Sequence, residues 1–470
     1  MANRTLENKR DFLLNNNNLY TNALYLAWPI VLQSLLQVSI GTIDIRMVGS
    51  LGVNAIAAVG AGRNVVMVIM VIVIAISTGT TAMVSRYVGR NDEENASITA
   101  GQSFYLAVAA SAFMIPLGLL TNEWILGLLG VGDEVLSLAT DYMLIFFISV
   151  PFFLLNFIGR AIFQGAGDTK TPLVIDIIMN ISNVALNYGF IFGFWVFPEM
   201  GVMGAAIGTA LSRVIGTTLG WSALLSGRFI IKVRLSHMLK PKWKRSKRII
   251  DIGFPAALQG ITRNVTTFIL FAILARTIHG EAAIPAFVIG TNLSQYALMP
   301  GLAVGTAAAT LSGMNIGANK MKRAEESGKS CVIVGAGFMM FFALIFVIFA
   351  DPLIRFFLDG NNPEVLRIGK NFLYIIALSE PFHAATIILS RTMQGAGYTK
   401  KPFYVTLISW LFIRVSLALL FAFAFNLQST GVWLAINLST VISAGMAYYL
   451  FRLGKWKHVE LHPKEALQRG

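Results

Sequence analysis

Long apolar segments recur along the whole chain, and short polar segments separate them. The apolar residues do not alternate with polar ones but fill continuous segments, for example 332–350 and 405–425. About twenty apolar residues is the length that an α-helix needs to cross the hydrocarbon core of a bilayer. Because lipid offers the backbone no hydrogen-bond partners, a spanning segment must satisfy its own N–H and C=O groups. The pattern therefore predicts an all-α integral membrane protein.

Twelve segments of this kind follow one another, and each is a predicted transmembrane helix. Several are longer than a bilayer requires, which tilt or extension beyond the membrane accommodates. The predicted spans are 24–48, 58–86, 98–120, 136–163, 171–194, 201–226, 249–276, 283–312, 328–350, 366–393, 402–425 and 430–453.

The composition is also typical of a membrane protein, and it indicates which kinds of partner the chain binds. The chain has 470 residues, of which 56% are hydrophobic and 13% charged, whereas soluble domains carry about 25% charged residues. The net charge of +14 indicates contact with anionic membrane lipids rather than with nucleic acid. The chain contains neither a P-loop nor a paired-histidine metal motif such as HExxH. We therefore expect a protein that is not an enzyme and needs no cofactor.

The charges of the loops predict the orientation. The segment between the sixth and seventh spans, 228–248, contains nine lysines and arginines, whereas the loop after the third span contains Glu123, Asp133 and Glu134. Positively charged loops stay on the cytoplasmic side. This predicts a plasma-membrane protein with both termini in the cytoplasm.

Two phrases of the sequence occur twice. QGAGDTKTP (164–172) returns as QGAGYTKKP (394–402), and WPIVLQ (28–33) returns as FPAALQ (254–259). The repeat predicts two copies of a six-helix unit, and an even number of spans gives both copies the same orientation. Parallel repeats of this kind are typical of transporters that work by alternating access. We therefore expect two pseudo-symmetric six-helix bundles around a central cleft, in a chain that functions as a monomer.

The predicted domains follow from this repeat. The N-terminal bundle is 1–227, a basic cytoplasmic linker is 228–248, and the C-terminal bundle is 249–470.

One carboxylate stands out inside a predicted span. Asp44 lies in the first span between two isoleucines, and ionisable residues at such positions are functional by default. Arg46 is two residues away and points in another direction on a helix. Asn183 and Asn187 share one face of the fifth span because they are four residues apart, and Thr209 follows in the sixth span.

These four side chains form the predicted ion-coupling site. Four oxygen-bearing side chains, one of them a carboxylate, can bind Na⁺. They can equally hydrogen-bond the carboxylate as it gains and loses a proton, so the sequence does not choose between Na⁺ and H⁺. The alternative is ordinary hydrogen bonding between helices. Asp176, near the start of the fifth span, is expected at the membrane interface. Candidates for the substrate cleft are Gln33, Tyr142, Gln259 and His383.

The segment IDIRMVGSLGVNAIAAVG, the paired QGAG turns and GVMGAAIGTALS together resemble the multidrug and toxic compound extrusion family. The resemblance implies a secondary active antiporter that exports organic, often cationic, compounds in exchange for H⁺ or Na⁺. It also implies that Asp44 couples the ion, with Asn183, Asn187 and Thr209 as polar partners. Some family branches have a second carboxylate where this chain has Asn187. The alternative function is a flippase of the same superfamily for lipid-linked oligosaccharides, with Arg46, Arg63, Arg213 and Arg263 as candidate cations.

Overall fold

The computed structural model describes residues 2–128, 130–227, 231–358 and 362–460, and within these ranges it contains helices and no strands. Residues 228–230 of the predicted linker and 461–470 of the predicted C-terminal bundle lie outside the described residues. In chain order the helices are α1 (Ala2–Asn15), α2 (Leu19–Gly49), α3 (Val53–Gly89), α4 (Glu93–Gly127), α5 (Asp133–Gly165), α6 (Lys170–Phe192), α7 (Gly201–Leu225), α8 (Leu235–Leu239), α9 (Trp243–Leu274), α10 (Gly280–Gly317), α11 (Met321–Ile348), α12 (Ala350–Arg355), α13 (Pro363–Ala377), α14 (Glu380–Gly395), α15 (Lys400–Ala424) and α16 (Gln428–Arg452).

Eleven of the described helices are long and apolar enough to cross a membrane. The pair α13 and α14 provides the twelfth span, with a bend of 52° between its two helices. Pro381 lies in the first turn of α14. Proline has no backbone N–H, so it is tolerated at the start of a helix but interrupts a continuous one. The prediction of a twelve-span, all-α membrane protein is confirmed.

Contacts divide the chain into two compact units with six spans each. The first unit comprises Met1–Phe12 and Trp28–Gly253, and the second comprises Leu13–Ala27 and Phe254–Gly470. This division differs from the predicted domains 1–227, 228–248 and 249–470 in two places. Residues 13–27 group with the second unit, and the described part of the basic linker groups with the first.

Specific hydrogen bonds account for both differences. The Lys320 side chain donates to the Leu14 carbonyl oxygen over 3.0 Å, and the Arg323 side chain donates to that of Leu13 over 3.3 Å. Within the first unit, the Gln102 side chain donates to the His237 carbonyl oxygen over 2.8 Å. The linker therefore packs on α4, and α9 begins at Trp243, six residues before the predicted start of the seventh span at residue 249.

The repeated QGAG phrase has the same local role in each unit. Its first glycine allows two helices to approach closely. A methyl group on Gly165 would lie 3.1 Å from the Thr81 carbonyl oxygen, and one on Gly395 would lie 2.0 Å from that of Ala309. Its second glycine turns the chain in the left-handed region, with φ of +79° at Gly167 and +84° at Gly397. Glycine adopts this conformation without steric cost.

Candidate ion-coupling site

Asp44 lies near the C-terminal end of α2 and is held by α6. The Asn187 side-chain nitrogen donates a hydrogen bond of 2.8 Å to the Asp44 carboxylate. Asn187 itself is buried. Arg46 is exposed, and within the described part of the chain Asp44 forms no ion pair with it or with any other basic side chain. The carboxylate is thus bound by a neutral donor and has no ion-pair partner among the described residues. The Arg213 guanidinium group nevertheless lies close enough for its charge to act on Asp44.

The hydrogen bonds continue from Asn187 towards α7. Asn187 lies 3.5 Å from the Asn183 side-chain oxygen. The Asn183 amide in turn donates to the Thr209 hydroxyl over 3.2 Å and approaches the Ser212 hydroxyl at 3.5 Å. The structure therefore places the four predicted residues in one connected cluster, to which Ser212 adds a further hydroxyl.

A glycine of α7 lets the two helices approach closely enough for this cluster. A methyl group on Gly208 would lie 2.3 Å from the Asn187 side-chain oxygen and 2.7 Å from its backbone nitrogen. Small residues allow membrane helices to pack backbone against backbone. The small-residue segment GAAIGTALS was the sequence signal for this contact, but it did not identify the asparagine on the other side.

Part of the cluster retains unused hydrogen-bonding capacity. Among the described residues, the buried Asn187 side-chain oxygen has no hydrogen-bond partner. A buried polar atom without a partner is unusual and calls for an explanation such as an unseen ion or water. The oxygens of Asp44, Asn187, Asn183 and Thr209 are the hard ligands that a cation such as Na⁺ prefers. The same carboxylate can instead accept a proton.

A cavity of about 190 Å³ adjoins this cluster inside the first unit. Gln33, Asp44, Asn183 and Thr209 are among the residues that line it. The buried Gln33 side chain donates to the Thr169 carbonyl oxygen over 3.2 Å. The cavity thus connects the carboxylate with a residue that the sequence assigned to the substrate cleft.

The same cavity contains a buried ion pair that the sequence interpretation missed. Asp176 and Arg160 are joined over 2.8 Å, and Asp176 is only 4% exposed. Asp176 therefore lies inside the unit, where Arg160 stabilises its carboxylate, and its position at the membrane interface stays a prediction. Arg160 lies in α5, on the other helix of the hairpin and 16 residues earlier in the sequence, so rules for spacing within one helix do not detect this pairing.

Arg213 also lines the cavity, in addition to Asp44, Arg160 and Asp176. Its guanidinium carbon lies 4.7 Å from the centre of the Phe153 ring and 5.4 Å from that of Phe146. Cation–π contacts of this kind stabilise a cation without neutralising it. Arg213 was named in the sequence only as a flippase candidate, and the structure adds it to the surroundings of Asp44.

The other candidate substrate residues are divided between the two units. Tyr142 is half-buried in the first unit, where it packs near Gly62 of α3 and lies close enough to Asp44 and Arg213 to feel their charges. Gln259 is buried in the second unit. His383, also in the second unit, lies 6.2 Å from the Trp410 ring between ring centres.

Comparison with known proteins identifies what the chain resembles. Residues 29–189 and 255–420 match the protein-family model described as MatE. A probable multidrug resistance protein NorM of Thermotoga maritima is 28% identical over 432 residues, which cover 92% of both chains. An FAD transporter of Shewanella oneidensis is 24% identical over 413 residues, covering 87% of this chain and 88% of the relative.

Solved structures support the fold. The structure of a MOP superfamily transporter from Pyrococcus furiosus matches with a TM-score of 0.87 and 20% identity, over 96% of this chain and 99% of the other. The similarity extends through all twelve spans of the fold.

Proposed function

Because the chain belongs to the MatE family, and is therefore a multi-pass membrane transporter and not an enzyme, we propose that it is a secondary active antiporter. It exports organic compounds in exchange for H⁺ or Na⁺ by alternating access. The resemblance to the family seen in the sequence is confirmed. Transporters of this family need no cofactor and use ion gradients, and their substrates are small molecules. The name of the Thermotoga relative supports drugs as the exported compounds.

The observation that carries this proposal is the contact between Asp44 and Asn187. An acid in a spanning helix is costly unless it has a function. This one is held by an amide at 2.8 Å and has no ion-pair partner among the described residues. A carboxylate paired with an arginine would be locked in its charged form, whereas this one is free to bind and release a cation.

Ion binding changes the cluster in one of two ways. A proton on Asp44 removes its negative charge and weakens the charge-assisted hydrogen bond from Asn187. A sodium ion instead draws the oxygens of Asp44, Asn183 and Thr209 around itself. Either event neutralises the carboxylate and removes its desolvation cost. We propose that this neutralisation changes the packing of α2 against α6 and α7, and so releases the exported compound.

We also propose the membrane, the orientation and the oligomeric state of the protein. Its basic segments face the cytoplasm under the positive-inside rule, so both termini are cytoplasmic and the protein resides in the plasma membrane. It contacts membrane lipids, does not bind nucleic acid, and acts as a monomer because one chain supplies both six-span units.

The flippase alternative is less well supported. It requires several cations that together hold a lipid pyrophosphate. Of its candidate cations, Arg46 and Arg63 are exposed, and Arg213 lies against two phenylalanine rings of the first unit. Arg263 belongs to the second unit, where its guanidinium carbon lies 5.5 Å from the centre of the Trp410 ring. Antiport therefore stays the first proposal.

The test uses purified protein in proteoliposomes loaded with a fluorescent drug. Efflux is recorded with a proton gradient alone and with a sodium gradient alone. Asp44→Asn removes the charge with little change of shape, and Asp251→Asn is the matched control because Asp251 is an exposed carboxylate of the same unit. We expect gradient-driven efflux from the wild type and from Asp251→Asn, and none from Asp44→Asn. Normal efflux from Asp44→Asn would refute the proposal.

A further inference from the structure

The second unit contains three arginines in its spanning helices that the ion-coupling site does not use. Arg263 lies in α9, Arg391 in α14 and Arg414 in α15. Among the described residues, none of the three forms an ion pair with a carboxylate. Their charges act on one another, since Arg263 lies within electrostatic range of both Arg391 and Arg414.

Two of these cations contact the same indole ring. The guanidinium carbon of Arg414 lies 3.7 Å from the centre of the Trp410 ring, and that of Arg263 lies 5.5 Å from it. Arg414 is 4% exposed and donates to the hydroxyls of Ser439 at 2.8 Å and Thr440 at 3.0 Å. These partners are neutral, so they orient the guanidinium group and leave its charge uncompensated.

Arg263 has free hydrogen-bonding capacity beside this ring. Within the described residues its guanidinium group donates no hydrogen bond, and its Nε is buried. The amide nitrogen of Gln259, one turn earlier on the same helical face, is likewise buried without a partner. Two neighbouring side chains of α9 thus present unused donors.

Among the described residues of the second unit, no carboxylate forms an ion pair with these arginines. Glu380 is buried at 2% exposure, yet it forms no ion pair, and its Oε2 has no partner among the described residues. Uncompensated cations in a spanning region are costly and mark a functional site. In addition, Trp410 and Arg414 lie in a π-helical segment, Leu407–Arg414, and such departures from the α-helix are frequent at functional sites.

We propose that Arg263 and Arg414, with Gln259 and Trp410, form a binding site for the anionic group of an aromatic organic substrate. Guanidinium groups match the geometry of phosphate and carboxylate oxygens, and the half-buried indole offers an aromatic surface beside them. The statement that the ligand is the exported compound rests on the proposed function. It gives that compound the opposite charge from the often cationic drugs expected from the sequence.

A pair of probes that differ only in charge tests the site. FMN and riboflavin share one ring system, and FMN adds a phosphate. Their binding to the full-length protein is measured by equilibrium dialysis in lipid nanodiscs. We expect FMN to bind at least tenfold more tightly than riboflavin. Arg263→Gln should weaken FMN binding at least tenfold and leave riboflavin unchanged, while Arg263→Lys should keep most of the FMN affinity.

The controls separate this site from general charge effects and from coupling. Arg276→Gln removes an exposed arginine two residues beyond the end of α9 and should bind FMN like the wild type. FMN binding is measured without any ion gradient and uses no variant of the ion-coupling site, so failure of the antiport proposal leaves this result intact. Absent FMN binding, equal affinity for the two probes, or equal losses for both probes in Arg263→Gln would overturn the proposal.

A last arm distinguishes a soluble anion from a lipid headgroup. The dialysis is repeated in nanodiscs of phosphatidylcholine alone and in nanodiscs that also contain phosphatidylglycerol. A site for a soluble organic anion gives the same preference for FMN in both. If phosphatidylglycerol displaces FMN from the wild type, the cations hold a lipid headgroup and the assignment to an exported compound is wrong.

Discussion

Replacement of Gly208 by alanine tests whether the contact between α6 and α7 positions the ion-coupling cluster. The added methyl group would lie 2.7 Å from the Asn187 backbone nitrogen and 2.9 Å from the Leu186 carbonyl carbon. Ordinary contacts begin near 3.4 Å, so the shortfall at the nitrogen is 3.4 minus 2.7, or 0.7 Å. Because two of the obstructing atoms belong to the backbone, rotation of a side chain cannot relieve the clash and α6 must move.

The expected size of the effect follows from two opposing terms. Overpacking costs about 1–3 kcal/mol, and the higher helix propensity of alanine returns about 1 kcal/mol. A displacement of α6 by several tenths of an ångström also lengthens the 2.8 Å bond between Asn187 and Asp44. We expect a lower melting temperature in detergent and at least a tenfold loss of gradient-driven drug efflux.

Gly220 supplies the matched control on the same helix. A methyl group there would meet nothing closer than the Ile175 Cδ1 atom at 3.9 Å. Gly220→Ala should therefore be neutral or slightly stabilising and should transport normally. If Gly208→Ala transports as fast as Gly220→Ala, the close contact between α6 and α7 does not position the cluster.

Three further substitutions address the remaining features. Asn187→Leu removes the donor to Asp44, and because a hydrogen bond to a charged group contributes about 1.5–3 kcal/mol, drug efflux should fall about 10- to 100-fold; unchanged efflux would remove Asn187 from the site. Asp176→Asn leaves the Arg160 charge buried without its partner and should destabilise the protein by about 3–5 kcal/mol; thermal unfolding measures this, and a double variant with Arg160→Met should recover part of the loss. Gly397→Ala places a side chain at φ of +84° and should cost about 1–2 kcal/mol; an unchanged melting temperature would contradict the role assigned to this turn.

The sequence was most informative about the spans because the bilayer imposes a length and a polarity on each of them. The predicted limits 201–226 lie within one residue of the helix Gly201–Leu225, whereas the predicted span 98–120 begins five residues after and ends seven residues before the ends of Glu93–Gly127. Pro381 signalled the break that separates α13 from α14. The helices α1, α8 and α12 were not predicted, since they are not apolar spans of bilayer length and the hydropathy pattern does not register them.

The candidate site was predictable only where its residues follow local spacing. Asn183 and Asn187 could be placed on one face because they are one helical turn apart. The contact of Asn187 with Asp44 spans 143 positions of sequence, so the family resemblance carried that part of the prediction. No spacing rule connected Asp176 with Arg160, or Arg263 with Trp410, because these contacts depend on how separate helices pack.

The most direct test of the account is substrate-dependent ion movement through the protein. Proteoliposomes contain either a pH-sensitive dye or ²²Na⁺ at equilibrium, and a drug gradient is then applied as the only driving force. We predict that the wild type and Asp251→Asn move one of the two ions against the drug, and that Asp44→Asn moves neither. Ion counterflow of wild-type magnitude in Asp44→Asn would show that coupling does not pass through this carboxylate.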